Sequence, residues 1–277
     1  MMKYDNQFQY IKSQHLDQVT VLQAEMNDFS YGKHAHEEFS FGVTLSGRQD
    51  FFASGAFHRS NPGNIIIFNP GEVHDGHSGV DDTLQYRMLY VHPDQLEPVL
   101  SSAGIKHSRD FQIADTLLDD AQLRQHILKM ALLIENKSED KLQQECELYR
   151  MAERIAQLYG QHAPERKKRK VDRLLLQARD FMDDNIHTDV SLDDISQQAS
   201  LSKYHFLRMF RQQFGITPHQ YILNCRINRA REALESGASL DDVVFAHGFS
   251  DLSHFNRRFK PIYGMTPRQY QRHFLSA

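Results

Sequence analysis

Ser191-Leu192-Asp193-Asp194 returns letter for letter as Ser239-Leu240-Asp241-Asp242, and each copy opens a segment of one design. Leu201-Ser202 and a helix-patterned run from Lys203 to Phe214 follow the first copy; Phe249-Ser250 and a run from Asp251 to Tyr263 follow the second. Both runs close alike, on Gly215-Ile216-Thr217-Pro218 and on Gly264-Met265-Thr266-Pro267. A solenoid stacks several copies of its repeat to bury a core. A unit present twice is instead a paired device.

Each copy reads as two helices joined by a tight turn. Ser191 can cap a first helix whose opening turn carries Asp193 and Asp194, favourable at the positive end of the helix dipole. That helix ends near Ala199-Ser200, and Ser202 caps the next. In the second helix Phe206, Phe210 and Phe214 stand four apart and form an inward stripe, while Tyr204, Arg208 and Arg211 fall on another face. The other copy places Phe255, Phe259 and Tyr263 inward and Ser253, Arg257 and Lys260 outward. A capped helix, a short turn and a helix with a basic outer face make the helix-turn-helix pattern. Arg can grip guanine O6 and N7 together, Asn can grip adenine, and Lys or a helix start can hold phosphate.

Candidate DNA-contacting residues are Lys203, Tyr204, His205, Leu207, Arg208 and Arg211 on the first helix. On the second they are Leu252, Ser253, His254, Asn256, Arg257 and Lys260. The copies are offset by 48 residues up to Ser202/Ser250 and by 49 from Phe206/Phe255 onward, which places one extra residue near the start of the second recognition helix and predicts an asymmetric DNA site. Thr217-Pro218-His219-Gln220 is a capping box with Pro at the first helical position, and Thr266-Pro267-Arg268-Gln269 repeats it. The first opens a connecting helix from about Pro218 to Glu235, a rod of roughly 25 Å between two readers of successive major-groove faces.

Charge divides the chain in the same way. Residues 166–277 hold 18 Lys and Arg against 12 Asp and Glu, and residues 1–165 hold 14 against 24, within a whole-chain charge of -4. A basic block behind an acidic one points to a polyanionic partner for the basic block. The two cysteines, Cys146 and Cys225, lie in different halves and support neither a disulfide framework nor a Cys-rich metal site. No apolar run approaches the ~18 residues of a membrane span. A soluble protein of a reducing compartment is expected, without membrane attachment.

From about Val19 to Val91 the chain reads as short strands and turns. Phe39 to Leu45, Gln49 to Phe52, Ile65 to Phe68 and Tyr86 to Tyr90 are strand-like, and Asn61-Pro62-Gly63-Asn64 and Asn69-Pro70-Gly71-Glu72 are turns. Such spacing means a β-sandwich or small barrel. From about Asp115 to Tyr159 the period is helical. Leu117, Leu118, Leu123, Ile127, Met130, Ala131 and Ile134 mark one amphipathic helix, and Leu142, Cys146, Leu148, Tyr149, Ala152, Ile155, Ala156 and Tyr159 another, joined near Asn136 to Asp140. One apolar face of this hairpin can cover the barrel and another can pair with a second subunit. Arg166-Lys167-Lys168-Arg169-Lys170 marks a linker, and residues 171–275 read as about seven helices. The expected fold class is α+β in two domains. Residues 1–165 form a β-barrel with a helical hairpin, and residues 166–277 an all-α domain with helix-turn-helix units at about 191–214 and 239–263.

Residues 171–275 resemble the DNA-binding domain of the AraC/XylS family of bacterial transcription regulators. The resemblance rests on the run from Leu201 to Arg211, the run from His247 to Lys260 and the closing Gly264 to Tyr270. It implies binding of promoter double-stranded DNA by two helix-turn-helix units, work beside RNA polymerase, often as an activator, and a cytoplasmic, nucleoid-associated location. Ser196 departs from the small apolar residue usual in the family, which predicts a slightly looser first unit. His34-Ala35-His36 and the turn ending at His74 are similar to the motifs of cupin barrels, and the same Pro-Gly-x-x-His turn occurs in sensor domains of AraC-like regulators.

A cupin's metal-binding Glu would fall at Ser40 or Phe41. Three His without it can still hold Zn, but imidazoles also serve as neutral hydrogen-bond groups in a small-molecule pocket. The expectation is therefore an effector pocket lined by His34, His36, Phe39, Glu72 and His74, with no metal, no cofactor and no catalytic residue. Arg87 stands on a strand either facing an anionic ligand or outward in solvent. The alternative function is a cupin metal-dependent enzyme fused to a DNA-binding domain.

Overall fold

A computed structural model describes residues 6–80, 82–105, 108, 111–137, 140–160, 170–188 and 190–275. The chain divides into two compact units, Met1–Pro164 and Glu165–Ala277. Of the basic run, residues 166–169 lie outside the described residues.

The N-terminal unit carries two antiparallel sheets. One has the strand order β1 (Gln7–Lys12), β2 (Val19–Met26), β9 (Leu84–Val91), β4 (Phe39–Ser46), β7 (Ile65–Phe68) and β10 (Leu117–Leu118). The other has the order β3 (Ser30–His34), β8 (His74–Ser78), β5 (Gln49–Ala53) and β6 (Ala56–Ser60). Side chains alternate between the two faces of a strand, and in β4 and β7 of the larger sheet both faces are buried. Phe39, Phe41, Val43, Ile65, Ile67, Leu89 and Val91 join the core beneath the helices. The alternate residues face the second sheet: Phe68 meets Phe51 edge-on at 5.5 Å, Thr44 Oγ1 lies 2.7 Å from Ser60 Oγ, and the Tyr86 and Tyr31 hydroxyls lie 2.8 Å apart.

The two Asn-Pro-Gly turns share one construction. The peptide of the fourth residue donates to the carbonyl of the first, Asn64 to Asn61 at 2.9 Å and Glu72 to Asn69 at 3.0 Å. Pro presets the second position and Gly accepts the positive φ of the third, 90° at Gly63 and 73° at Gly71.

The helices of this unit are α1 (Pro93–Ser102), α2 (Ala121–Glu135) and α3 (Lys141–Tyr159). α1 was not anticipated, although Pro93 in its first turn is a helix-start signal. Leu117 and Leu118, expected in the first hairpin helix, instead pair with Ile66 and Ile65 at the sheet edge. The helix begins at Ala121 because the Asp120 carboxylate accepts from the Leu123 amide at 2.8 Å. α2 and α3 bury Leu123, Ile127, Met130, Leu148, Met151 and Ile155 in the shared core, while Leu142 and Tyr149 are exposed. Two polar groups unexpectedly enter that interface. Gln144 accepts the Ser13 hydroxyl at 2.7 Å. The buried Glu147 carboxylate lies 2.5 Å from His126, 2.9 Å from Lys129 and 2.9 Å from Arg150. Burial alone would raise the Glu147 carboxyl, but the bonds from Lys129, His126 and Arg150 hold it below its ordinary value.

The C-terminal unit is all-helical: α4 (Lys170–Asp184), α5 (Leu192–Gln198), α6 (Lys203–Phe214), α7 (Pro218–Glu235), α8 (Leu240–Ala246), α9 (Leu252–Tyr263) and α10 (Pro267–Leu275). The duplication is visible in its caps. Ser191 and Asp194 form a reciprocal capping box, Ser239 accepts from the Asp242 amide, and Gly215 and Gly264 end α6 and α9 at φ 75° and 77°. Ser196 is buried, and its hydroxyl bonds the Asp193 carbonyl at 3.1 Å. Among the described residues no helix is long and apolar enough to cross a membrane.

Between the paired helices the second unit needs a left-handed residue, Gly248 at φ 75°, where the first uses Ser200 at φ 52°. At Gly248 an added Cβ would lie 3.0 Å from the Arg226 guanidinium, whose Nε donates to the Ile186 carbonyl at 2.8 Å. Gly248→Ser should destabilise this unit by about 1 kcal/mol, from backbone strain and the crowded arginine. Urea unfolding measures it; an unchanged midpoint would show that the turn is indifferent to its residue.

Candidate functional site

Two sites emerge, one in each unit. In the C-terminal unit α6 and α9 are both twelve residues long. Their caps, Ser202 and Asp251, are already 49 positions apart. The extra residue therefore sits in the second turn, not inside the second helix as the sequence offset suggested. Its effect is on capping. Ser202 makes no side-chain cap bond, whereas Asp251 accepts from the His254 amide at 2.7 Å. The two helices are in register, and their difference lies in chemistry alone. Tyr204 answers to Ser253, Leu207 to Asn256, Arg208 to Arg257 and Arg211 to Lys260.

The inward stripes are as expected, with Phe206, Phe210, Phe255, Phe259 and Tyr263 buried. Lys203, Tyr204, His205, Arg208 and Arg211 are exposed on α6, and Leu252, Ser253, Arg257 and Lys260 on α9. Tyr204 is 86% exposed, so its ring stands free of the fold. The structure separates four residues from this open set. Leu207 and Asn256 are half-buried. Lys203 is tied to Asp193 at 2.5 Å. His254 turns back, its Nδ1 3.3 Å from Ser250 Oγ and its ring edge-on to Phe249 at 5.6 Å. Phe245, 71% exposed on α8, is an apolar surface residue the helical pattern did not single out.

α7 joins the two readers stiffly. Its Arg226 bonds the carbonyls of Ile186 and Thr188 before the first reader and Gly248 in the turn of the second. Its Asn228 accepts the Tyr263 hydroxyl at 3.0 Å in the core.

In the N-terminal unit three of the five anticipated pocket residues come together. His34, His36 and His74 are 3%, 5% and 5% exposed. Their ring centroids lie 4.4 Å apart for His34 and His74, 4.7 Å for His34 and His36, and 5.3 Å for His36 and His74. Strand register explains the first pair, because His34 on β3 lies directly opposite His74 on β8. The Asn69–Glu72 turn holds the third: the Gly71 amide donates to the His36 carbonyl at 2.8 Å. Burial pushes the His34 imidazole down to about 4, against the Gly32 hydrogen bond that favours its charge. His74 is also pushed well below its ordinary value, by burial and then by His34. Aromatic rings close the cluster, with Phe68 stacked on His74 at 3.7 Å and Tyr90 edge-on to His36 at 5.0 Å.

Phe39 and Glu72 do not join this cluster. Phe39 points to the opposite face of β4, into the core under the helices, where it stacks with Phe41 at 6.3 Å. The Glu72 carboxylate is used within its own turn, accepting from the Asn69 backbone and side-chain amides at 3.0 Å and from the Ser54 hydroxyl. Arg87 takes neither expected role: its Nε bonds Glu135 of α2 at 2.5 Å and pins the hairpin to the sheet. Residues the sequence did not single out are Tyr31 and Tyr86, two buried phenols raised well above the ordinary value, chiefly by burial. Ser40 does lie among these groups. It pairs in register with Phe68 and Tyr90, and its buried hydroxyl finds no partner among the described residues.

Comparison with known proteins bears on both units. A family model described as an AraC-like ligand binding domain matches residues 18–152, and one described as a helix-turn-helix domain matches residues 195–273. The chain is 29% identical over 225 residues to the uncharacterized HTH-type transcriptional regulator YbfI of Bacillus subtilis, covering 81% of each chain. It is 36% identical over 75 residues to the HTH-type transcriptional activator RhaS of Escherichia coli, covering 27% of each. Crystal structures of ToxT from Vibrio cholerae share the fold at 11% identity with a TM-score of 0.60, covering 94% of this chain and 99% of that one. With a ligand-binding-type β domain followed by a duplicated helix-turn-helix domain, this chain belongs to the AraC family of DNA-binding transcriptional regulators.

Proposed function

We propose that α6 and α9 read two successive major-groove faces of one asymmetric promoter site, and that the interior of the β unit takes a small-molecule effector that biases this reading. The observation that carries the DNA proposal is the pair of twelve-residue helices in equal register, each with an exposed Arg at its sixth position, Arg208 and Arg257. The unlike neighbours, Tyr204 against Ser253 and Leu207 against Asn256, favour unlike half-sites. The functional domains are assigned to residues 1–165 and 166–277, with helix-turn-helix units at 191–214 and 239–263.

The hairpin carries exposed Leu132, Leu142 and Tyr149, which favours pairing of two copies through its outer face. Activation through RNA polymerase, a cytoplasmic location at the nucleoid and a non-enzymatic role belong to the same proposal, supported by the resemblance to regulators, one of them named an activator. Protection mapping on genomic DNA tests the central claim. Two protected patches about one helical turn, or ~10 base pairs, apart are expected, with affinity falling steeply as salt rises. A single patch, or a palindromic site with identical halves, would refute it.

A further inference from the structure

We propose that His34, His36 and His74 bind one divalent transition-metal ion inside the N-terminal unit. This stands on the geometry of the three rings and is independent of the DNA-reading assignment.

The proton positions come first. A backbone carbonyl only accepts, so the His34 Nδ1 that lies 2.7 Å from the Gly32 carbonyl must carry the proton, and so must the His74 Nδ1 that lies 2.8 Å from the Glu72 carbonyl. In a neutral imidazole the other nitrogen, Nε2, then presents its lone pair. Carbonyls holding the far N–H are the outer support that metal-bound imidazoles use to fix tautomer and ring direction. The His34 Nε2 faces the His36 Nε2 at 3.1 Å, and ligand atoms of all three residues lie within 4.8 Å of one another. Metal–nitrogen bonds of about 2.0–2.1 Å in a tetrahedron separate the nitrogens by about 3.3 Å. One pair is at that spacing, and the third residue's nitrogen lies within 4.8 Å of both.

The chemistry of the donors selects the ion. Three neutral imidazoles suit zinc, nickel, cobalt, copper or ferrous iron, whereas calcium and magnesium demand oxygen. Three protein nitrogens leave a fourth position. Ser40, flanked in register by the Phe68 and Tyr90 that touch His74 and His36, offers a hydroxyl to hold an oxygen ligand there.

Untagged full-length protein, stripped with chelator and titrated with Co²⁺, tests the site by visible absorption; Zn²⁺ is then added with the melting temperature as a second readout. One equivalent of Co²⁺ with tetrahedral-type bands, displaced by Zn²⁺, and a rise in melting temperature are expected. His34→Ala, His36→Ala and His74→Ala should each bind at least about a hundredfold more weakly. His77→Ala, exposed on the same strand as His74, should bind like the parent. Circular dichroism checks that each variant folds, and the wild-type titration decides the matter even where one does not. The proposal is overturned if the wild type binds no stoichiometric Co²⁺, or if the three variants retain it.

Discussion

Phe259→Ala should destabilise the C-terminal unit by about 3–5 kcal/mol, the usual cost of deleting a buried phenyl ring and leaving a cavity. Phe259 is fully buried, and its ring packs against Phe255 at 5.3 Å, Tyr263 at 4.4 Å and Tyr270 at 5.3 Å. These partners come from α9 and α10, so the loss would free both the recognition helix and the helix that closes the second reader. A domain stable by roughly 5–15 kcal/mol has little margin for such a change. Hydrogen exchange on the full chain is the suitable measurement, because a chain of two units need not unfold in one transition. Protection should fall across Leu252–Leu275 and remain unchanged in the β unit. Phe245→Ala is the matched control: the same side chain on exposed α8 should change stability by less than about 0.5 kcal/mol. A Phe259 variant with protection equal to the parent would remove this ring from the core.

The difference between these two phenylalanines explains what was legible in the sequence. A stripe of aromatics at intervals of four, bounded by repeated caps, identifies the recognition helices because helical period and capping are both local signals. Phe245 breaks no local rule; its exposure depends on which elements surround α8. The same limit explains Phe39. Alternation places Phe39, Phe41 and Val43 on one face of β4, but in a strand buried on both sides nothing in the chain says which face lines the space between the sheets. The histidines were legible because His34-x-His36 and the Asn-Pro-Gly turn fix them locally, and cross-strand register then brings His74 opposite His34.

The role of Glu72 is not legible from its type, because a carboxylate in a turn can serve the turn as readily as a ligand, and here Asn69 and Ser54 use it. The extra residue was placed in the wrong element because Ser250 and Asp251 can each cap a helix; only the backbone distinguishes them. Gln144 and Glu147 would be read as solvent-facing from their types, and only the partners that reach them, Ser13 for Gln144 and His126, Lys129 and Arg150 for Glu147, make their burial tolerable.

Arg208→Ala and Arg257→Ala should each weaken binding to the specific site by about 1–3 kcal/mol if each guanidinium grips a guanine edge. The two arginines stand at equivalent places on separate helices, held apart by an eighteen-residue connector about 27 Å long. Changes that share no partner add. The double variant should therefore lose about 2–6 kcal/mol, from tens to tens of thousands of times in affinity. Affinity alone does not separate base reading from phosphate contact, so two further observables are needed. A base-reading Arg loses most on the specific site and little on random DNA, whereas a phosphate-binding one loses equally on both and lowers the salt slope by about 1. Arg211 and Lys260, one turn further along each helix and exposed, should behave in the second way if only the first turns of each helix enter the groove. Their alanine variants would weaken specific and random DNA together. Equal losses on specific and random DNA for Arg208→Ala and Arg257→Ala would reassign both to the backbone, and base recognition would then fall to Tyr204, Ser253 and Asn256. In that event the two helices would share no base-reading arginine, and only the hydroxyls of Tyr204 and Ser253 would remain as like groups at equivalent positions.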